Sequence, residues 1–297
     1  MSIILKSVLP VAFIIIIGYV AGKKLTMERS TLSQLSVYIL APALVTDSFY
    51  RNSMGGTLTF RFLFAYGVIS LILYIGLIIF SKIRKLSKES SRNLFAILLC
   101  PNNGNMGLSI SAFALGDEGL QRAVVYMIGS SIVLFGILPA VLKGESIVRG
   151  VKMTLRLPLI WAMVLGIILQ LSRVSLPFNL GISLEWLGIS SIPIALLILG
   201  MQLTNTRFHF NLSQFLASLT TLAIAPLVAL GVGKMMSLEG IDLQVLVLQT
   251  AMPTAVNTAV MMEEFGSDAT MVSRTVILST LMSFITIPMV ILFLTSG

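Results

Sequence analysis

Charged residues are scarce in this 297-residue chain, and their scarcity excludes an ordinary soluble fold. Only 11% of the residues are Asp, Glu, Lys or Arg, whereas 56% are hydrophobic; soluble domains carry about 25% charged residues. Uncharged runs such as 8–20, 62–80 and 157–171 reach, with their flanks, the roughly 20 residues that a helix needs to cross a bilayer. The sequence therefore predicts an all-α integral membrane protein with the lipid bilayer as its solvent.

Cysteine and histidine are nearly absent, which excludes two kinds of site. Cys100 is the single cysteine, so no internal disulfide forms, and Cys100 with the single His209 cannot supply the three or four protein ligands of an ordinary zinc site. An intramembrane hydrolase needs a nucleophile beside a base, yet His209 falls in a predicted loop, and neither a Gly-x-Ser-x-Gly motif nor a pair of intramembrane Asp residues is present. We therefore predict no metal, no cofactor and no enzymatic activity.

The apolar runs and the charged or Gly/Pro turns between them predict about ten transmembrane helices. The predicted spans are 3–21, 30–49, 60–81, 92–115, 119–141, 154–172, 184–204, 211–235, 241–263 and 268–294. The first run ends in Lys23 and Lys24 rather than in a small-residue cleavage site, which favours a true span over a cleaved signal peptide.

The net charge of +8 lies in short turns rather than in one basic domain, so it indicates membrane orientation and not nucleic-acid binding. Cytoplasmic loops keep the excess of Lys and Arg. Of the 20 basic residues, the side that begins with Lys23 and Lys24 holds the majority, and the other side holds Lys6, Arg51, Arg61, Arg122, Arg173 and Lys234. This asymmetry predicts an inner-membrane protein with both termini outside.

The two halves of the chain share a pattern of proline and asparagine. Pro101-x-x-x-Asn105 and Pro253-x-x-x-Asn257 lie in the fourth predicted span of each half. We predict a first five-helix repeat at 1–142, a short cytoplasmic link at 143–156 and a second repeat at 157–297. Because five is odd, the second repeat enters the membrane from the opposite side, which is the inverted repeat of many secondary transporters.

Both motifs predict broken helices that meet at one cavity. Proline lacks a backbone donor and clashes with the preceding turn, and a break in hydrocarbon survives only where it is buried in protein or lines a wet cavity. Half-helix N-termini carry partial positive charge and would hold an anion without Lys or Arg. The predicted binding residues are Pro101, Asn103, Gly104, Asn105, Pro253, Thr254, Asn257 and Thr258. The alternative is that both motifs only kink helices for packing.

Two further polar residues and one acid have open interpretations. Gln249 and Ser109 lie one helical turn from the motifs. They either face the cavity or form hydrogen bonds that hold neighbouring helices together. Asp47 is a candidate proton-coupling residue because it falls in the second span. Arg51 follows within one turn and favours a solvated helix end instead.

At these motifs the sequence resembles the auxin efflux carrier family, which includes bacterial malate and malonate permeases. The resemblance rests on Pro101 to Gly107, Gly116-Asp117, Met252 to Asn257, Pro42 and Pro193 with Gly200. It implies crossing fourth and ninth helices, a scaffold beside a transport domain, and elevator-like alternating access. The short 143–156 link, in place of the long loop of plant members, favours a prokaryotic-type permease.

Together these features predict a secondary transporter of small organic anions such as carboxylates, with protons as a candidate driving ion. A sodium-coupled carrier is a second interpretation, since unwound carbonyls also coordinate Na⁺. A membrane receptor that binds an anion without moving it would use the same pocket. A homodimer is compatible with the sequence.

Overall fold

The computed structural model describes residues 2–51, 55–143, 147–204 and 211–295, and every regular element in these ranges is helical. His209, predicted in a loop, lies outside the described residues. The α-helices are α1 (Ser2–Lys24), α2 (Arg29–Leu35), α3 (Ala41–Tyr50), α4 (Gly55–Ile83), α5 (Lys88–Leu99), α6 (Leu108–Ile132), α7 (Leu138–Lys143), α8 (Ile147–Thr154), α9 (Pro158–Ser172), α10 (Leu180–Leu203), α11 (Leu212–Leu219), α12 (Ala225–Met235), α13 (Gly240–Thr250), α14 (Val256–Glu264) and α15 (Thr270–Thr295).

Four five-residue π-helical turns interrupt the helices, and three of them have the same cause. The turns are Ser36–Leu40, Asn103–Gly107, Val133–Ile137 and Thr220–Ile224. Pro42, Pro139 and Pro226 each follow a turn by two residues. Because a proline ring clashes with the carbonyl of the preceding turn, widening that turn relieves the clash without ending the helix. The remaining turn, Asn103–Gly107, begins just after Pro101.

Six helices within the described ranges are long and apolar enough to cross a membrane. They are Lys6–Lys24, Gly55–Ile83, Asn103–Lys143, Leu180–Leu203, Leu212–Met235 and Thr270–Thr295. The third of these has 41 residues because it joins the part of the predicted fourth span that follows the Pro101 break to the predicted fifth span, with only a bend between them. The first part of the fourth span lies in α5. At that bend Gly116 has φ 66° and ψ −161°, a conformation that only glycine adopts without strain.

The other apolar segments of the sequence are short or interrupted helices. The predicted sixth span is α9, with 15 residues, and the predicted ninth span divides into α13 and α14. The predicted second span is α2, a π-turn and α3. The predicted link 143–156 contains a helix of its own, α8.

The helices sort into two bundles by their packing. In the first, α1 packs along α10, and α3 packs against both α9 and α10. The second contains α4 to α7 and α11 to α15, with α6, α12 and α13 at its centre. In the first bundle, an added Cβ at Gly18 would lie 2.3 Å from the Leu197 carbonyl oxygen, and one at Gly200 would lie 2.1 Å from the Ile15 carbonyl oxygen. Two glycines therefore let the α1 and α10 backbones touch.

Candidate functional site

The two proline breaks meet, and their backbones pair with each other. The Asn102 amide donates to the Pro253 carbonyl at 2.7 Å, and the Ala255 amide donates to the Cys100 carbonyl at 2.8 Å. These bonds form an antiparallel bridge centred on Pro101 and Thr254. Backbone groups that lose their helical partners at a break must be satisfied inside the protein. Each break does this for the other, which fixes where α5 and α13 cross.

Two half-helices begin at this crossing. The π-turn that leads into α6 starts at Asn103, and α14 starts at Val256, with Ala255 as its N-cap in an extended conformation. A helix N-terminus presents amide groups and about half a positive charge. The crossing therefore supplies positive potential from backbone dipoles rather than from charged side chains.

A small cavity lies against the crossing. Its volume is about 80 Å³, and its predicted binding residues are Pro101, Asn103, Gly104, Asn105 and Asn257. The other lining residues come from the two breaks themselves, from the second predicted span, from α6 and the π-turn Val133–Ile137 that follows it, and from α9 and α10. Those with polar side chains are Ser36, Asn102, Ser130, Ser131 and Ser191. Because every polar side chain among the described lining residues is an amide or a hydroxyl, the cavity suits a small anion or a dipolar group held by neutral donors.

Three of the predicted binding residues lie behind the cavity rather than along it. Pro253 contributes the carbonyl that pairs with Asn102. Thr254 is fully buried; its hydroxyl donates to the Ile97 carbonyl at 3.1 Å, and its amide donates to the Ser279 hydroxyl at 3.3 Å. Thr258 is also fully buried in the first turn of α14. In this structure Pro253 and Thr254 tie the crossing to α5 and α15.

Asn103 is clamped by Gln249 on the neighbouring half-helix. The Asn103 amide nitrogen donates to the Gln249 carbonyl at 2.7 Å and to the Gln249 side-chain oxygen at 2.9 Å. The Gln249 amide nitrogen donates in turn to the Ser111 hydroxyl at 2.9 Å. All three side chains are buried. Gln249, for which the sequence left two interpretations open, joins α13 to the start of α6.

A much larger crevice lies on the other side of Asn257. Its volume is about 790 Å³, and it is lined by Glu28, Arg29, Gln202, Glu263 and Asn257, among others. These residues flank three connections that the distribution of Lys and Arg predicts to be cytoplasmic. Asn257 lines both the crevice and the central cavity, so the two cavities meet the same residue.

Asp47 lies away from both cavities in an ion-pair cluster. Its carboxylate accepts from the Arg51 Nε at 2.8 Å, and Arg51 also contacts the Glu185 carboxylate at 2.9 Å. The Arg51 guanidinium donates to the Gly181 carbonyl at 3.2 Å as well. The cluster joins the end of α3 to the start of α10, so Asp47 has a structural partner in this conformation.

Five polar lining residues, Ser36 among them, were not singled out from the sequence. Ser191 comes two residues before Pro193, and Ser130 with Ser131 forms a small polar pair inside an otherwise apolar span. Asn102 lies inside the first motif, and its proximity to Pro101 was a usable signal. The serines resemble ordinary small packing residues of membrane helices, so only their positions in space associate them with the cavity.

Comparison with known proteins agrees with this architecture. A family of membrane transport proteins matches residues 3–147 and 147–291. An uncharacterized transporter of Methanothermobacter thermautotrophicus is 29% identical over 294 residues, with 96% of each chain covered. One from Methanocaldococcus jannaschii is 23% identical, with 94% of this chain and 95% of the relative covered, and YfdV of Escherichia coli is 23% identical, with 90% of each covered. The chain therefore belongs to this family of membrane transport proteins, the auxin efflux carrier family that its sequence resembles.

Proposed function

We propose that the protein is a secondary carrier of small organic anions, built as ten spans in two inverted five-helix repeats. The observation that carries the proposal is the crossing of the two breaks, where Asn102 pairs with Pro253 and Ala255 pairs with Cys100. Paired discontinuous helices at mid-membrane are the usual position of substrate sites in transporters with inverted repeats. The 80 Å³ cavity beside the crossing is the proposed substrate site.

The substrate class follows from the chemistry of the cavity. Amides, hydroxyls and two helix N-termini favour a negative group, and a carboxylate is the commonest such group on a small metabolite. Because no Lys or Arg is among the lining residues that the structure describes, the proposed site holds the anion without a salt bridge. Such a site releases its ligand more readily than a charged one, and a carrier must release its substrate on both sides.

Alternating access is proposed to come from movement of one bundle against the other. Both breaks belong to the second bundle, whereas Ser191 of α10 and Leu159 of α9 face the cavity from the first bundle. We assign the first bundle as the scaffold and the second as the transport domain. With Asn257 on both the cavity and the crevice, the conformation described here would release substrate toward the crevice side.

Counterflow of labelled carboxylate in proteoliposomes tests the proposal. Purified protein is reconstituted with an unlabelled candidate acid inside, and uptake of the labelled acid is followed. A carrier accumulates label transiently, whereas a receptor binds the acid but shows no exchange. Candidate acids are first selected by a thermal-shift screen, since a ligand of the folded form raises its apparent stability. Binding without counterflow would contradict the carrier proposal and indicate a receptor.

Sodium coupling is a second candidate, and one observation favours it. Asn103 uses its amide nitrogen for Gln249, while its side-chain oxygen is buried with no hydrogen-bond partner within the described ranges. A buried oxygen acceptor beside unwound backbone is the kind of ligand that Na⁺ takes in transporters. Counterflow is measured in sodium-free medium, with a pH gradient as the alternative driving force. This measurement separates sodium coupling from proton coupling.

A further inference from the structure

The short helix α8, in the link between the halves, has two different faces. On one face Gly150 packs on the π-turn Val133–Ile137, where an added Cβ at Gly136 would lie 2.2 Å from the Thr154 hydroxyl oxygen and 3.2 Å from the Gly150 carbonyl oxygen. On the other face Val148 is 76% exposed and Val151 is 54% exposed. Because these valines are three positions apart, they lie on one side of the helix.

Basic residues accompany the exposed apolar face. Lys152 and Arg156 are both exposed, as is Leu155 just past the end of the helix. In the sequence from 143 to 156 four basic residues stand against one acidic residue, and 147 to 156 contains no acid. A short helix with apolar and basic side chains turned outward is typical of segments that lie in the membrane interface.

Two contacts favour a position of α8 at the level of the lipid headgroups. The Trp161 indole nitrogen donates to the Leu155 carbonyl at 2.8 Å while the ring remains 62% exposed, and tryptophan concentrates at membrane interfaces. The Lys143 ammonium lies 4.8 Å from the centre of the Phe265 ring. Phe265 follows Glu263 of the crevice by two residues, so the link lies on the side where the crevice opens.

We propose that α8 is a binding surface for anionic phospholipid headgroups, with Lys152 and Arg156 on the phosphates and Val148, Val151 and Leu155 in the acyl boundary. Basic residues near an anionic lipid surface attract its headgroups, and the attraction increases with each Lys or Arg. The site also has a route to the transport machinery. Leu134 and Phe135 line the central cavity, and the next residue, Gly136, is the one in close contact with α8.

A single-tryptophan quenching experiment tests the binding surface without relying on transport. The chain has two tryptophans, so Trp186→Phe leaves Trp161 as a reporter beside α8. The full-length variant is reconstituted in phosphatidylcholine vesicles that contain equal fractions of either brominated phosphatidylglycerol or brominated phosphatidylcholine. We expect brominated phosphatidylglycerol to quench Trp161 at least about twofold more strongly, because anionic lipid is enriched around Lys152 and Arg156.

Charge variants decide whether α8 causes the enrichment. Lys152→Gln with Arg156→Gln should make the two brominated lipids equally effective, and Lys152→Arg with Arg156→Lys should keep the preference. Arg173→Gln with Lys234→Gln, which removes the same charge from exposed residues of the opposite loops, should keep it as well. Equal quenching by the two lipids in the parent protein, or a preference that survives loss of Lys152 and Arg156, would overturn the proposal.

Discussion

The role of Asn103 follows from its hydrogen bonds, because they show which atom of its side-chain amide is already engaged. A backbone carbonyl can only accept, so the bond to the Gln249 carbonyl identifies the donating atom of Asn103 as its amide nitrogen. The side-chain oxygen is then an acceptor with a defined orientation. Asn105, two residues further on, also lines the cavity and has no such clamp across the breaks. We infer that Asn103 positions the crossing and that Asn105 meets the substrate.

Asn105→Leu should abolish substrate binding and counterflow while the protein still folds and inserts. The substitution keeps the size of the side chain but removes its polar group from the cavity. The Asn105 backbone carbonyl, which accepts from the Ser109 hydroxyl at 2.9 Å, is retained in the variant. Ser109→Ala is the matched control: it removes a hydroxyl one turn further along the same helix, outside both cavities. Counterflow and thermal shift with the selected acid measure both variants. Unchanged counterflow by Asn105→Leu would contradict the proposed site.

Gly107→Ala should destabilise the crossing. An added Cβ would lie 2.3 Å from the Gln249 side-chain oxygen, and Gln249 cannot move aside without losing its bonds to Asn103 and Ser111. Overpacking of this kind costs about 1–3 kcal/mol. At Gly104 the nearest atom to an added Cβ is the Met127 sulfur at 3.6 Å, an ordinary contact. The melting temperature should therefore fall for Gly107→Ala and change little for Gly104→Ala. Equal melting temperatures would contradict the prediction, because they would show that Gln249 moves aside without loss of stability.

The two ion-pair clusters among the described residues lie within bundles rather than between them. Arg51 joins α3 to α10 in the first bundle through Asp47 and Glu185. Arg122 of α6 joins Asp242 of α13 in the second bundle. A movement of one bundle against the other would therefore leave both clusters intact. This arrangement suits a carrier whose two bundles move as rigid bodies.

Asp242→Asn should weaken the second bundle by on the order of 2 kcal/mol, because it leaves the largely buried Arg122 guanidinium without its main counter-charge. The remaining carboxylate, that of Glu118, lies 3.5 Å from Arg122 and is 69% exposed. Glu118→Gln is thus the matched control, with an expected cost of less than about 1 kcal/mol. Thermal unfolding in detergent compares the two variants. A larger loss in Glu118→Gln than in Asp242→Asn would refute this ranking.

Across the whole molecule, the distribution of Lys and Arg predicts which side faces the cytoplasm, and the single cysteine makes the prediction easy to test. Cys100 is 1% exposed, so the parent protein should react little with a membrane-impermeant maleimide. In intact cells Ser172→Cys, at the end of α9, should be labelled, and Lys24→Cys, at the end of α1, should be labelled only after permeabilisation. Both positions are exposed. The reverse pattern would place the termini inside.

Much of this architecture can be predicted from the sequence, because a lipid bilayer constrains each segment of the chain locally. Hydrocarbon forces apolar runs into helices, and it tolerates Pro101-Asn102-Asn103 and Pro253-Thr254 only where the freed backbone finds partners. The motifs therefore indicated that the two breaks meet. The sequence also predicts a loop between the spans 92–115 and 119–141, and there α6 continues through a bend at Gly116 instead.

The long-range pairing of residues could not be predicted from the sequence, because it depends on which side chains come together across about 150 residues of chain. Only the folded protein pairs Pro101 with Thr254, directs the Thr254 hydroxyl to Ile97 instead of the cavity, and clamps Asn103 with Gln249. Likewise, the sequence predicts only a short basic connection at 143–156. Packing of Gly150 on Gly136 decides which face of α8 remains free, because a helix exposes whatever its neighbours do not cover.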